Sequence, residues 1–461
     1  AQDKAAKIDE LLARYHANNQ FNGAVLVSEG GNVIYKKGFG LANMEWQIPN
    51  TPETKFRLGS ITKQFTAAVI LQLVNEGKIK LDDKLSQYVP EYPKKTADRV
   101  TIHQLLNHTS GVPSYTSLPN FMRDKVRDPY APLDLIKVFW DMDLEFEPGS
   151  RFRYNNSGYH LLGVVIEKVT GKTYAEALQE RLFQPLKMNA SGYDLNQPLL
   201  AKRAGAYART LDGFENAPYL DMTIPYSAGS LYSTVEDLYL WDQALYTDKA
   251  LPAKSRDLMF TPALDNYGYG WIIRTSKAPG SERQITTVGH GGGIHGFSTS
   301  IERILEDKHL IVLLNNTGGT RLGEMSQGIT KVLYGVPVEM PKAPAAPALY
   351  KLIREKDVQT AITTCKEWKE NPSAGYDVNP GELAGLTNHL MKLKRMADAE
   401  EIAKLNVELH PKLPPAHHTL GEVYRRAGKR ELAIQSYARA LELSPGNPGP
   451  AGERLKEMLS K

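Results

Sequence analysis

The chain has 461 residues, of which 41% are apolar, enough for a full hydrophobic core and long enough for two or more domains. Its formal net charge of +4 is small for that length, and no dense basic stretch with interleaved aromatics occurs, which argues against nucleic acid as a partner. No apolar run reaches the roughly 18 residues of a spanning helix, and the single Cys365 leaves no internal disulfide.

In chain order, Gly23 to Ser28 and Asn32 to Tyr35 flank Glu29-Gly30-Gly31 and predict a β-hairpin. After Gly59, Ile61, Phe65, Val69 and Leu73 recur at every fourth position, with Ala68 beside them and Gly77 as a stop, which predicts a helix. Ser60 opens that helix and Lys63 follows three residues later, the only Ser-x-x-Lys in the chain. Residues three apart share a helix face, so the amine can reach the hydroxyl, and the positive end of the helix dipole favours a developing alkoxide. A lysine desolvated there can have its pKa drawn down to about 7–8 and act as a general base.

Thr101 and Gln104 predict a capping box on a short helix, and the flanking His103 and His108 read as structural. Beyond the turn Glu147-Pro148-Gly149 comes Tyr154-Asn155-Asn156, ahead of an apolar run from Leu161 to Val169 that ends at Gly171. In extended backbone, Tyr154 and Asn156 point to one side. A phenol near an ammonium can shift toward phenolate and shuttle a proton, and an amide can hold both Lys63 and a substrate amide.

Helical patterns dominate from about residue 60 to 265, and strand-like segments then return at Gly268 to Arg274, Ile285 to Val288, Phe297 to Ile301 and His309 to Leu314. This predicts an α/β fold: an antiparallel sheet built from both ends of a domain, flanked by helices, with a mostly helical insertion and the site in the cleft between them. Within Thr287 to Phe297, His290-Gly291-Gly292-Gly293 would let a substrate backbone pair as an added strand, while the N–H groups of Ser60 and Gly293 form an oxyanion hole. The formal Gly-x-Gly-x-x-Gly at Gly291, Gly293 and Gly296 is not a dinucleotide site, because a strand and not a helix follows it. No Gly-x-Ser-x-Gly, His-Glu-x-x-His or paired Cys-x-x-Cys occurs, so neither an α/β-hydrolase elbow nor a metal or other cofactor is expected.

With these elements in order, residues 10 to 335 or so resemble the class C β-lactamase-like, penicillin-recognising serine hydrolase superfamily. Further matching stretches are Thr101 to Gly111, Gly158 to Gly171, Ala228 to Thr234 and Tyr267 to Trp271. The resemblance implies Ser60 as nucleophile, Lys63 and Tyr154 as the general base and acid pair, and Asn156, His290, Gly292 and Gly293 as substrate-binding positions. It also implies export to a periplasm or beyond, and the start at Ala1, without Met, fits removal of a signal peptide. Two departures stand out. Asn155 replaces a frequent serine and should point away from the site. His290 replaces the lysine of true class C β-lactamases, and a mostly neutral histidine offers a substrate carboxylate no permanent cation, so weak lactam turnover at most is expected. His295 reads as a turn histidine.

Pro341 to Ala348 is rich in Pro and Ala and predicts a linker over 341–349, which separates a hydrolase domain at 1–340 from a helical domain at 350–461. Residues 414 to 447 resemble a tetratricopeptide unit through Leu420, Gly421, Tyr424, Ala433, Tyr437, Ala440 and Pro445. A preceding unit keeps the register through Leu386, Leu390, Ala399, Ala403 and Pro411, with Thr387 in place of glycine. A degenerate helical pair over Leu349 to Asn371 and a capping helix over Ala451 to Lys461 complete the array. The expected function is hydrolysis of short esters or D-amino-acid peptides through an acyl-enzyme, with a protein partner on the repeats. The alternatives are an acyl-binding sensor with little turnover, or a repeat scaffold carrying a vestigial hydrolase.

Overall fold

The computed structural model describes residues 2–446 and 449–460. It divides into two units, one formed by Ala1–Arg209 with Glu215–Met340 and the other by Thr210–Phe214 with Pro341–Lys461. In the first unit, helix α1 (Gln2–Ala17) precedes strands β1 (Gly23–Glu29) and β2 (Asn32–Phe39). A mostly helical region follows, with α2 (Thr62–Asn75), α3 (Asn156–Thr170) and α4 (Val235–Ala244). The chain then returns through β3 (Ile272–Lys277), β4 (Gln284–Ile294), β5 (Phe297–Ile304), β6 (His309–Asn315) and α5 (Leu322–Leu333).

These six strands form one antiparallel sheet in the order β3-β4-β5-β6-β1-β2, so the N-terminal hairpin and the C-terminal strands meet at β1 and β6. Both central strands are buried on both faces, which is why they read as unbroken apolar runs. Their register puts Val25 opposite Leu313 and Val27 opposite Ile311, and this set packs with Ile8, Leu11 and Leu12 of α1 and Ile329, Val332 and Leu333 of α5. The alternate set, Ala24 and Leu26 with Leu310, Val312 and Leu314, joins the core of the helical region. Each fully buried side chain of this size contributes about 1.5–3 kcal/mol. A one-residue slip would therefore exchange the two cores and expose neither correctly.

Helix α2 departs from the one-sided stripe of its sequence: Thr62 to Leu71 are all buried. Several of its polar side chains find tertiary partners, as where Thr66 Oγ1 donates to the Ser227 carbonyl at 2.7 Å, while Gln64 Nε2 is buried without one. Two predicted strand boundaries also shift. The segment predicted from Gly268 begins as a strand only at Ile272, because Gly270 takes φ +79° and presses on the backbone of Lys63 and Gln64. The segment predicted to stop at Val288 instead runs on through the glycines to Ile294.

In the second unit, the stretch expected as a linker over 341–349 is ordered differently. A helix, α6 (Ala345–Glu355), starts inside it with Ala345, Ala346 and Leu349 buried, because apolar spacing there supplies a packing face that prolines ahead of it do not interrupt. The helices α7 (Val358–Glu370), α8 (Pro380–Lys392), α9 (Met396–Leu409), α10 (Pro414–Arg426) and α11 (Arg430–Glu442) follow. From α8 to α10 and from α9 to α11 the starts repeat with the 34-residue period of a tetratricopeptide array. Gly421 of α10 leaves room for the Tyr437 ring, whose nearest atom would lie 2.7 Å from a Cβ there. One period earlier the bulk is exchanged: Thr387 stands for the glycine and Ala403 for the tyrosine. The expected capping helix is α12 (Gly449–Leu459), and Lys461 lies outside the described residues.

Candidate active site

Ser60 lies in a single 3-10 turn, Gly59–Ile61, that runs directly into α2 and so sits at the helix's positive end. The turn is pinned on both sides. Leu58 N–H donates to the Leu231 carbonyl at 2.7 Å, and Thr299 Oγ1 of β5 donates to the Leu58 carbonyl at 2.7 Å. Gly59 adopts φ +56° and meets Gly293 of β4 so closely that a Cβ would stand 3.0 Å from the Gly293 nitrogen. The preceding Arg57 is tied at 2.6 Å to buried Asp194, which also takes Arg203 at 2.7 Å.

Lys63 is fully buried, and its Nζ lies 3.2 Å from Ser60 Oγ, 2.8 Å from Asn156 Oδ1 and 2.9 Å from the Ala228 carbonyl oxygen. All three neighbours are neutral, so burial without a counter-charge drives its pKa well below the usual lysine range. Two of its neighbours can only accept, whereas Ser60 Oγ can also donate, so proton exchange between the hydroxyl and the amine runs along that contact.

Asn156 starts α3, donates from Nδ2 to Thr116 Oγ1 at 3.0 Å and receives Lys63 on Oδ1. Asn155 does point away, as expected from sequence, and caps α3 by accepting from Gly158 N–H at 2.8 Å. Tyr154 lies with its ring centroid 4.8 Å from Lys63 Nζ. Desolvation pushes its hydroxyl above the usual tyrosine range, and a hydrogen bond with Ser60 partly opposes that. The sequence-based expectation of a phenolate is thereby reversed: at Tyr154 the burial of the hydroxyl dominates and keeps the proton on the phenol.

Two of the expected site positions fall behind the cavity. His290 is 6% exposed, with Nδ1–H donating to the Gly291 carbonyl at 2.6 Å and Nε2 accepting from Tyr267 Oη at 3.0 Å. Burial and the proximity of Lys63 lower its pKa to about 4, so it is neutral at pH 7. Gly292 faces the turn, where a Cβ would overlap the Leu58 carbonyl oxygen, so its missing side chain serves backbone packing. Gly293 differs, since a Cβ there would meet nothing within 4 Å. From His290 to Ile294, β4 pairs only with β5, because β3 ends opposite Gly289.

The structure brings one residue into the site that sequence reasoning set aside. His108, read as structural, takes φ +62° after the short helix and turns its ring 4.4 Å from that of Tyr154 and 4.5 Å from that of Tyr267. Burial and nearby Lys63 hold it neutral. The available signal was its place in the Thr101 to Gly111 stretch. His295, read as a turn residue, sits in the two-residue β4–β5 turn and also lines the cavity over Ser60.

That cavity has a volume of about 130 Å³ and is bordered by Ser60, Asn156, Ala228 and Gly293. Among the described residues no cluster of three or more His, Cys, Asp or Glu could hold a metal ion. No helix among them is long and apolar enough to cross a membrane.

An antiparallel sheet covered by helices, with a serine, a buried lysine and a tyrosine at its edge, is the arrangement of β-lactamase-fold serine hydrolases. A β-lactamase family model matches residues 8–331, and a tetratricopeptide repeat model matches residues 414–447. The chain belongs to the β-lactamase family. It is 31% identical over 390 residues to penicillin-binding protein 4* of Bacillus subtilis, covering 78% of this chain and 82% of that protein. It is 30% identical over 324 residues to the teichoic acid D-alanine hydrolase of Staphylococcus aureus, covering 68% and 74%. The solved structure of an octameric penicillin-binding protein homologue from Pyrococcus abyssi superposes with a TM-score of 0.63 at 28% identity, covering 76% of this chain and 81% of that one.

Proposed function

We propose that the chain is a serine hydrolase that cleaves small ester or amide substrates through a covalent acyl-enzyme. The carrying observation is the buried Lys63 amine 3.2 Å from Ser60 Oγ, with Asn156 Oδ1 and the Ala228 carbonyl oxygen as its other partners. In the first step Ser60 Oγ attacks the carbonyl carbon while its proton passes to the Lys63 lone pair. The resulting ammonium has three acceptors already in place. The oxyanion is met by the N–H groups of Ser60 and Gly293, both of which border the cavity. The bond to the leaving group then breaks, and Tyr154 hands that group a proton and is reprotonated from Lys63. Water repeats the sequence on the acyl-enzyme, releasing the acid and restoring the serine.

The unpaired stretch of β4 supports backbone pairing of a peptide-like substrate beside Gly293. The relatives' names point to D-alanyl and penicillin-like carbonyls, and they support a periplasmic or secreted location. The repeat helices are assigned to a protein partner. Ser60→Ala tests the central reading: it should abolish turnover of p-nitrophenyl acetate and labelling by a fluorophosphonate probe, and retained turnover would refute it.

A further inference from the structure

Resting on that reading, we infer that the acyl pocket selects an uncharged acyl group and rejects acyl groups carrying either an ammonium or a carboxylate. The walls of the cavity over Ser60 are Tyr115, Met122, Leu220, Ile224, Pro225 and Ile294, with His295 at the rim. None of its lining residues is Asp, Glu, Lys or Arg. The basic groups close by are committed to partners. Lys63 Nζ contacts Ser60 Oγ, Asn156 Oδ1 and the Ala228 carbonyl oxygen, His290 is buried with both ring nitrogens engaged, and His295 Nδ1 lies 3.2 Å from the Pro218 carbonyl oxygen. Arg57 is paired with Asp194. The nearby carboxylate of Asp221 is likewise committed, accepting from Thr223 N–H at 3.0 Å and Thr223 Oγ1 at 2.6 Å. The Tyr115 hydroxyl is turned away to the Ile224 carbonyl at 3.0 Å.

A charged acyl group entering this pocket would lose its hydration and gain no counter-charge. A D-alanyl group, whose ammonium is unmatched here, is disfavoured, as is a group ending in a free carboxylate.

The test uses the full chain at pH 6.5 and matched p-nitrophenyl esters: butyrate against hemisuccinate, and N-acetyl-D-alaninate against D-alaninate. The neutral member of each pair should exceed the charged member in kcat/KM by about 30-fold or more, the ratio that roughly 2 kcal/mol of uncompensated desolvation gives. Met122→Lys should raise hemisuccinate relative to butyrate by about tenfold or more, since it places a cation in the wall. Charged esters turned over within threefold of neutral ones, or a Met122→Lys ratio that does not move, would overturn the inference while leaving the serine assignment intact if Ser60→Ala stays inactive. Turnover that survives Ser60→Ala, or no turnover of either neutral ester, would overturn the underlying reading as well.

Discussion

His108 grips the segment that carries Tyr154 from behind. Its carbonyl accepts Arg153 N–H at 2.9 Å and its Nδ1 accepts Asn155 N–H at 3.1 Å, so the residues on either side of Tyr154 are both tied to it. Its ring lies 4.4 Å from the phenol ring between them. Asn tolerates the φ of +62° and can offer Oδ1 in place of Nδ1, whereas Phe keeps a ring and loses the acceptor. His108→Asn should keep kcat within several-fold of the parent. His108→Phe should lower kcat by about tenfold or more with KM little changed, because a buried N–H left unpaired costs about 1–3 kcal/mol and frees the Tyr154 segment. Steady-state kinetics well below the unfolding temperature decides the matter, and equal kcat in both variants would remove His108 from the site.

The pH–rate profile should reflect two groups displaced in opposite directions. Burial holds Lys63 well below the usual lysine range, so kcat/KM should fall as the pH drops through that lowered value and not through the ordinary lysine one. Tyr154 is pushed upward, so the acid stays protonated and any alkaline limb lies above the ordinary tyrosine range. Lys63→Arg keeps a charge that cannot be surrendered and should lose about 100-fold or more. An acid limb unchanged in Lys63→Arg would assign it to another residue.

Acid should weaken the fold through its buried histidines. His290 and His160 are both lowered to about 4 from an ordinary value of 6.5. Between those values the unfolded chain binds more protons than the folded one, so stability rises with pH. The contribution is complete above pH 6.5 and is lost on the way down to about 4, at roughly 3 kcal/mol or less for each group. Urea midpoints at pH 7.5 and 4.5 measure it, and equal midpoints would contradict it.

The two neighbouring glycines of β4 should behave in opposite ways. Gly292→Ala sets a Cβ against the Leu58 carbonyl, a backbone atom that cannot swing aside, and should cost about 3 kcal/mol of stability. Gly293→Ala meets nothing within 4 Å and should fold normally while changing turnover of the bulkier acyl esters. Thermal melts and ester kinetics on both variants separate the effects.

Much of this was legible because it is local. The Ser60 to Lys63 spacing fixes one helix face, and the Thr101–Gln104 capping box forms as read, whereas the extended stretch expected through Tyr154 and Asn156 stops at Asn155 because Asn156 already opens α3. What could not be read depends on distant backbone. His108 looked like the tail of a short helix, and only its left-handed conformation turns the ring into the site. Gly292 and Gly293 are the same letter, yet one meets the Leu58 carbonyl and the other an open cavity. His290 could be recognised as uncharged but not as sealed behind Tyr267. The apolar period of α2 showed one buried face, while the tertiary partners that let its polar residues be buried come from elsewhere in the chain.

The backbone ties around the Ser60 turn have one more consequence. Leu58 N–H is held by the Leu231 carbonyl and the Leu58 carbonyl by Thr299 Oγ1, so the approach to the nucleophile is anchored to two distant parts of the chain, and the Leu58 amide should be among the slowest to exchange with deuterated solvent.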